Sequence, residues 1–127
     1  MATIFSANDT TVMVDGKAIE GVRAIEYRHH QQRENVYALG SAERVGVVAG
    51  SRHVEGRLRV VSRDAALDLL ASGGPFQITA LFKQGESKLT VSFDECFITE
   101  KGTSLGAGGH AETLYGFTAT RVREEAA

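Results

Sequence analysis

The chain is short of the residues that staple, break or anchor a protein. It has one cysteine, Cys96, so it closes no internal disulfide. That fits a reducing compartment or a protein assembled in one. It has one proline, and no apolar run approaches the roughly 18 residues of a membrane-spanning helix. The opening MATIFSANDTTVMV lacks a basic segment followed by an apolar one, and nothing in it reads as a secretion signal. No block of one charge sign exists. The 14 Lys and Arg and the 16 Asp and Glu are interspersed, for a formal net charge of −2. That argues against a nucleic-acid site built on positive charge, and no acidic tail argues for disorder. Internal repeats and low-complexity segments are absent.

Glycine is abundant by contrast. It supplies 14 of 127 residues, against a usual share of about 7%. Many glycines with almost no proline suit a β protein, in which tight turns and bulges are needed and ladder N–H groups must be kept. The length accommodates a single domain, residues 1–127, with a modest core.

Alternation carries the secondary-structure signal. Thr10 to Val14 runs into Asp15-Gly16, a strong hairpin pair, and Ala18 to Tyr27 reads as the return strand, with Gly21 as a bulge. Residues 29–35, HHQQREN, are polar without a period and read as a loop or exposed edge. Val36 to Leu39 reads as a short strand, Ala42 to Arg44 as a ribbon tip, and Val45 to Ala49 as an apolar run. From Arg52 to Val61 the period of two is clear: Val54, Leu58 and Val60 on one side, Glu55, Arg57 and Arg59 on the other. One helix is expected at about 63–72, with Ser62 as N-cap, Asp64 in the first turn, and Gly73-Gly74 ending it in the left-handed conformation before Pro75. Phe76 to Lys83 and Lys88 to Phe97 alternate again, with a bulge near Glu95-Cys96 that switches faces. Residues 101–109 read as a flexible loop, Ala111 to Arg123 as a last strand, and the EEAA tail as frayed. About seven or eight strands flank one helix, so the expected fold is an antiparallel β-sandwich or partial barrel with a helix at its edge.

Chemistry is hard to place on this chain. Adjacent His29 and His30 point to opposite faces of a strand and so do not share a metal. A structural zinc site takes four Cys or His ligands, and Cys96, His53 and His110 have no local partners. Cys96 lies in FDECFIT, a strand rather than a nucleophile elbow, and reads as a half-buried core thiol. Asp94-Glu95 and Glu124-Glu125 diverge or are terminal, unlike an acid/base pair in a cleft. The glycine-rich 102–109 lacks the GK[ST] ending of a phosphate loop and precedes no helix. No catalytic residue, cofactor or metal is expected. The mixed charges around Arg52, Arg57, Arg59 and Arg63 read first as a salt-bridged surface, next as a protein interface, and last as a direct DNA contact.

What remains is a ribbon over about 36–60. A projecting ribbon exposes unpaired backbone and valines, which monomers usually blunt, so it should pair with another chain. The residues here resemble the tail tube proteins of tailed bacteriophages. The likeness lies in Val36-Tyr37-Ala38-Leu39-Gly40-Ser41, then Val45-Gly46-Val47-Val48-Ala49-Gly50, then Val54-Glu55-Gly56-Arg57-Leu58-Arg59-Val60, with Gly21-Val22-Arg23-Ala24-Ile25 upstream. It covers roughly residues 12–72, and more loosely the rest. At Ala49 the chain departs from the family, which often has proline there.

The resemblance implies a β-sandwich with a flanking helix. Six copies form a ring whose inner strands merge into a barrel, and rings stack into a hollow tube. The tube guides a tape-measure protein and then viral DNA, which passes without specific binding, and sheath or other tail proteins are further partners. The implied subunit and ring interface is Tyr37, Leu39, Gly40, Ser41, Glu43, Arg44, Val45, Gly46, Val47, Val48 and Gly50, with Arg57 and Arg59 turned toward neighbours. The protein would be made in the host bacterial cytoplasm and reside in the virion tail, away from membrane. Other readings of the same residues are an inner-tube or baseplate tube-initiator protein of a contractile injection system, and a small ligand-binding β-barrel whose nine aromatics line a pocket.

Overall fold

The computed structural model describes residues 4–6 and 9–126. Strand β1 (Thr11–Val14) and the two-residue β2 (Lys17–Ala18) form the first hairpin. Its Asp15-Gly16 turn has φ of 50° and 82°, so both central residues are left-handed, as the favoured two-residue hairpin turn requires. Next come β3 (Val22–Val36), β4 (Gly46–Val61), α1 (Ala65–Leu70), β5 (Phe76–Gln84), β6 (Ser87–Ser104), β7 (Glu112–Ala119) and β8 (Arg121–Ala126). All strand pairs are antiparallel. The expected mainly-β fold with one helix is what forms.

The 18-residue β6 organises the molecule. Its first half lies between β5 and β8, and its second half pairs with β7. The result is one sheet ordered β2-β1-β5-β6-β8 and a second ordered β6-β7-β4-β3. The changeover is a bulge. Phe76 pairs with Cys96 but Ile78 with Phe93, and Glu95 sits at φ 52°. The extra residue bends the strand, in the place where the alternation in the sequence breaks.

The core lies between the sheets. Val54, Leu58 and Val60 of β4 meet Ile78, Ala80, Val91 and Phe93 from the first sheet, with Tyr115 and Phe117 of β7, and all nine are essentially inaccessible. Phe93 takes the edges of Tyr27 and Phe117, at centroid distances of 4.9 and 5.2 Å, the arrangement aromatic quadrupoles favour. Helix α1 plugs one end with Leu67. The hydroxyl of Tyr115 anchors it, accepting from the Asp64 backbone N–H at 3.2 Å and donating to Asp68 Oδ1 at 2.7 Å.

Several local expectations need correction. The helix spans 65–70, not 63–72. Its N-cap is Asp64, whose carboxylate accepts from the Leu67 N–H at 3.0 Å. Ser62 is at φ 58°, and Gly73-Gly74 are not left-handed; the helix closes on an ordinary right-handed cap at Ala71. The return strand expected over 18–27 is two pieces separated by the left-handed Gly21. Of the two readings of 29–35, loop or exposed edge, the exposed edge forms, as part of β3; Val36 ends that strand, and 37–39 leave it rather than form one. Residues 101–104 extend β6, which leaves the loop at 105–111. Glu124 to Ala126 of the tail lie in a ladder against Val91, Thr90 and Leu89. Cys96 is fully buried, not half-buried.

Candidate subunit interface

The ribbon is longer than its apolar pattern suggests, because β3 and β4 pair from Val22↔Val60 out to Val36↔Gly46. Strand β7 accompanies β4 only over Val54 to Val61. Beyond that point the ribbon is two strands, with no third on either side among the described residues. Eight residues separate Val54 from Gly46, so this free arm extends about 26 Å at ~3.3 Å per residue. The polar strand 29–36 escapes pattern reading for the same reason: no core stands behind it, so neither face is apolar. Such a two-stranded hairpin is marginal in water unless something covers it.

Polar side chains hold the arm's shape. At a bulge opposite Gln31, Gln31 donates to the Gly50 carbonyl at 2.8 Å and accepts from Arg52 Nε at 2.9 Å. Arg44 donates to Asn35 at 3.0 Å and Ser41 to the Glu43 carbonyl at 2.8 Å. Gly40 is left-handed at φ 81° in the tip. The apolar side chains of the arm find no cover. Leu39 is 106% exposed, Tyr37 and Val45 60%, and Val48 55%. Of the anticipated interface residues, those from Tyr37 to Gly50 thus lie together on one arm.

Arg57 and Arg59 lie elsewhere, on the outer face of the second sheet. Arg57 stands 3.9 Å from Glu26 and 3.7 Å from Glu100, while Arg59 and Arg23 both reach Glu112. Arg28 and Glu55 complete the set around a shallow groove of about 270 Å³, floored by Gly56 and Gly116. Arg23, Arg57 and Arg59 each stand within 3.9 Å of a carboxylate and Arg28 lies opposite Glu55 in the ladder, so these eight side chains balance in charge. Exposed pairs like these contribute ~0–1 kcal/mol each; their consequence is neutrality.

Groups with reactive potential are otherwise occupied. The Cys96 thiol donates to the Phe93 carbonyl at 3.3 Å, and burial above all pushes it up to about 12. The Tyr27 hydroxyl donates to Glu124 at 2.5 Å, and burial followed by that carboxylate raises it to about 12. His30 and His53 face each other across the ladder with ring centroids 6.4 Å apart, and His53 and His110 lie beside Glu55 and Glu112. Among the described residues no group of three or more His, Cys, Asp or Glu is placed to hold a metal. No described helix is long and apolar enough to cross a membrane. Strand edges are open instead: the outer side of β3 and the second half of β6 at the two margins of the second sheet, and β8 at a margin of the first.

No protein-family model matches the chain, and no curated protein sequence does. Solved structures do. A tube–sheath complex of an extracellular contractile injection system in its extended state superposes with a TM-score of 0.72 at 15% identity, over 98% of this chain and 93% of that one. The SPP1 tail tube gives 0.70 at 13%, over 98% and 80%. The tail of an empty gene transfer agent particle, determined with C6 symmetry, gives 0.70 at 17%, over 94% and 98%. At these identities the likeness is one of fold, and over nearly the whole chain that fold is the one shared by tail tube proteins.

Proposed function

We propose that this chain is a structural subunit of a tail tube, polymerising as stacked hexameric rings into a hollow conduit of a virion tail. The observation that carries the reading is the unsupported arm: a two-stranded ribbon with exposed Tyr37, Leu39, Val45 and Val48, attached to a sheet whose two margins are both unpaired. Joining copies edge to edge satisfies those margins and abolishes free strands altogether. Six copies of the four-stranded second sheet would close a barrel of about 37 Å across at the backbone, from ~4.8 Å per strand and before strand tilt widens it. Its outer, charge-balanced face suits a bore. Lys and Arg contacts to phosphate supply most non-specific affinity for DNA, and here Arg23, Arg57 and Arg59 are each paired with a carboxylate while Arg28 lies opposite Glu55 in the ladder. Tape-measure protein and DNA would therefore pass without being held. The structural neighbours are likewise tail and tube components rather than enzymes, and synthesis in the host cytoplasm fits the lone thiol.

Negative-stain microscopy and sedimentation of the purified chain test this. Rings or tubes are expected, and removal of residues 41–49 should leave a folded monomer. A wild-type chain that stays a compact monomer at millimolar concentration, or a deletion variant that forms normal tubes, refutes it.

A further inference from the structure

His30 of β3 and His53 of β4 are direct partners in the ladder, and only that register brings them together. Side chains alternate along a strand, so both lie on the outer face of the second sheet, the face of Arg28 and Glu55. Their ring centroids are 6.4 Å apart, with 32° between the planes. Both residues are exposed.

Hydrogen bonding leaves nitrogen lone pairs free on this pair. The Glu55 carboxylate lies 3.3 Å from His53 Nε2. A carboxylate only accepts, so it takes the Nε2–H and fixes the tautomer in which Nδ1 carries a lone pair. His30 makes no hydrogen bond among the described residues. A ring that donates one N–H to a carboxylate and offers its other nitrogen is the usual form of a metal-ligating histidine. Glu55 thus orients His53 from behind rather than serving as a third donor, in keeping with the lack of a three-ligand group among the described residues.

The spacing suits two ligands on one ion. With metal–nitrogen bonds of ~2.1 Å, two imidazoles have centroids about 5.3 Å apart at the tetrahedral angle and up to ~6.5 Å apart when opposed. The observed separation falls in that span, and rotation of the side chains alone tunes it. The backbone beneath is held on both sides. Val54 is seated in the core, and Gln31 bonds the Gly50 carbonyl and Arg52. Arg28 and Glu55, the next pair on this face, balance in charge, so they present no net charge to repel a cation.

We infer that His30 and His53 form a two-histidine chelate for a divalent transition metal ion of the zinc, nickel or copper type, with water in the remaining positions. Imidazole nitrogen suits these ions. The site belongs to the single chain and does not depend on the tube reading. In a ring of six it would place six dications on the face assigned to the bore, each adding two positive charges to a face that is otherwise balanced.

Isothermal titration of the untagged full-length chain with Ni²⁺ near neutral pH reads the site. One ion per chain is expected, and His30→Gln or His53→Gln should each weaken binding at least ~10-fold. His29→Gln and His110→Gln should leave it unchanged, because His29 lies on the other face and His110 stands beside Arg23 and Glu112. All four positions are exposed, and circular dichroism checks that each variant folds. Electron paramagnetic resonance with one equivalent of Cu²⁺ gives a second reading. Splitting from two imidazole nitrogens is expected in the wild type, falling to one in either variant of the pair. Binding that survives His30→Gln and His53→Gln, a one-nitrogen signal in the wild type, or no Ni²⁺ binding overturns the inference. Each of those results leaves the tube reading as it stands.

Discussion

Replacing Gly56 by alanine measures how tightly the Phe117 ring of β7 and the β3 backbone close over β4 within the second sheet. Gly56 sits in β4 opposite Tyr27 of β3 and Phe117 of β7. A methyl group there would stand 2.5 Å from Phe117 Cζ and 2.8 Å from the Glu26 carbonyl oxygen. Neither neighbour can withdraw easily, because Phe117 is wedged on Phe93 and the Glu26 carbonyl belongs to the β3–β4 ladder. Overpacking of this kind costs about 1–3 kcal/mol, and contact with fixed backbone puts Gly56 at the upper end. Alanine recovers ~0.4–1 kcal/mol by restricting the unfolded chain, which leaves a net loss of about 2 kcal/mol. At ~4 °C per kcal/mol for a chain of this size, the melting temperature falls by roughly 8 °C. Thermal melts followed by circular dichroism read this directly. The control is Gly116→Ala, where the new methyl would meet Glu100 Cγ at 2.5 Å. The Glu100 side chain is half exposed and can rotate away, so a change under about 1 kcal/mol is expected. A Gly56→Ala protein that melts with the wild type, or a Gly116→Ala protein equally destabilised, would refute the reasoning.

Asp94 binds β6 to β8: it accepts from Arg121 at 2.7 Å, from Arg123 at 2.9 and 3.1 Å, and from Gln77 at 3.0 Å. Arg123 first and then Arg121 hold its carboxyl well below the usual carboxylate range. With a folded value below the unfolded ~3.9, its contribution is complete above pH 4 and drains away as pH falls toward the folded value. Asp94→Asn should therefore cost about 1–2 kcal/mol at pH 7, with the gap to wild type narrowing below pH 4. A gap that stays constant down to pH 2 contradicts this. Cys96 is inaccessible, with its thiol pushed up to about 12, so maleimide at pH 8 should label the native protein only as fast as it unfolds. Labelling within minutes in native buffer would show that the core is looser than described.

The sequence carries the interior plainly. Wherever a strand has core on one side and water on the other, the side-chain period of two appears, as in Val54-Leu58-Val60, Phe76-Ile78-Ala80 and Leu89-Val91-Phe93. Asp15-Gly16 announces its hairpin because few other pairs tolerate two left-handed residues in succession. The arm from Tyr37 to Gly50 stands out as valines and glycines with nothing local to cover them, and that was enough to mark the candidate interface. Local signals misled where a competing interaction decided the outcome. Ser62 is an acceptable cap, but its carbonyl accepts from the Thr113 hydroxyl and its backbone is left-handed, so capping passes to Asp64.

Tertiary structure alone decided the rest. The polar strand Arg28 to Val36 has no period, since both of its faces are wet, and only pairing with β4 reveals it. One strand serves two sheets because a bulge at Glu95 turns it, and no local pattern says which partners lie on either side. Arg57 and Arg59 alternate cleanly in the sequence, yet their carboxylates come from β3, from the far half of β6 and from Glu112. A cavity at the opposite end from the arm gathers Phe5, Ile19, Ile25, Phe82 and Leu89 beside Thr10, Thr11 and Arg23, from positions up to 84 residues apart. A sequence records which faces of its own segments prefer to avoid water. Which segment then covers each face is settled by chain closure and register over long separations, and that information exists only in the folded chain.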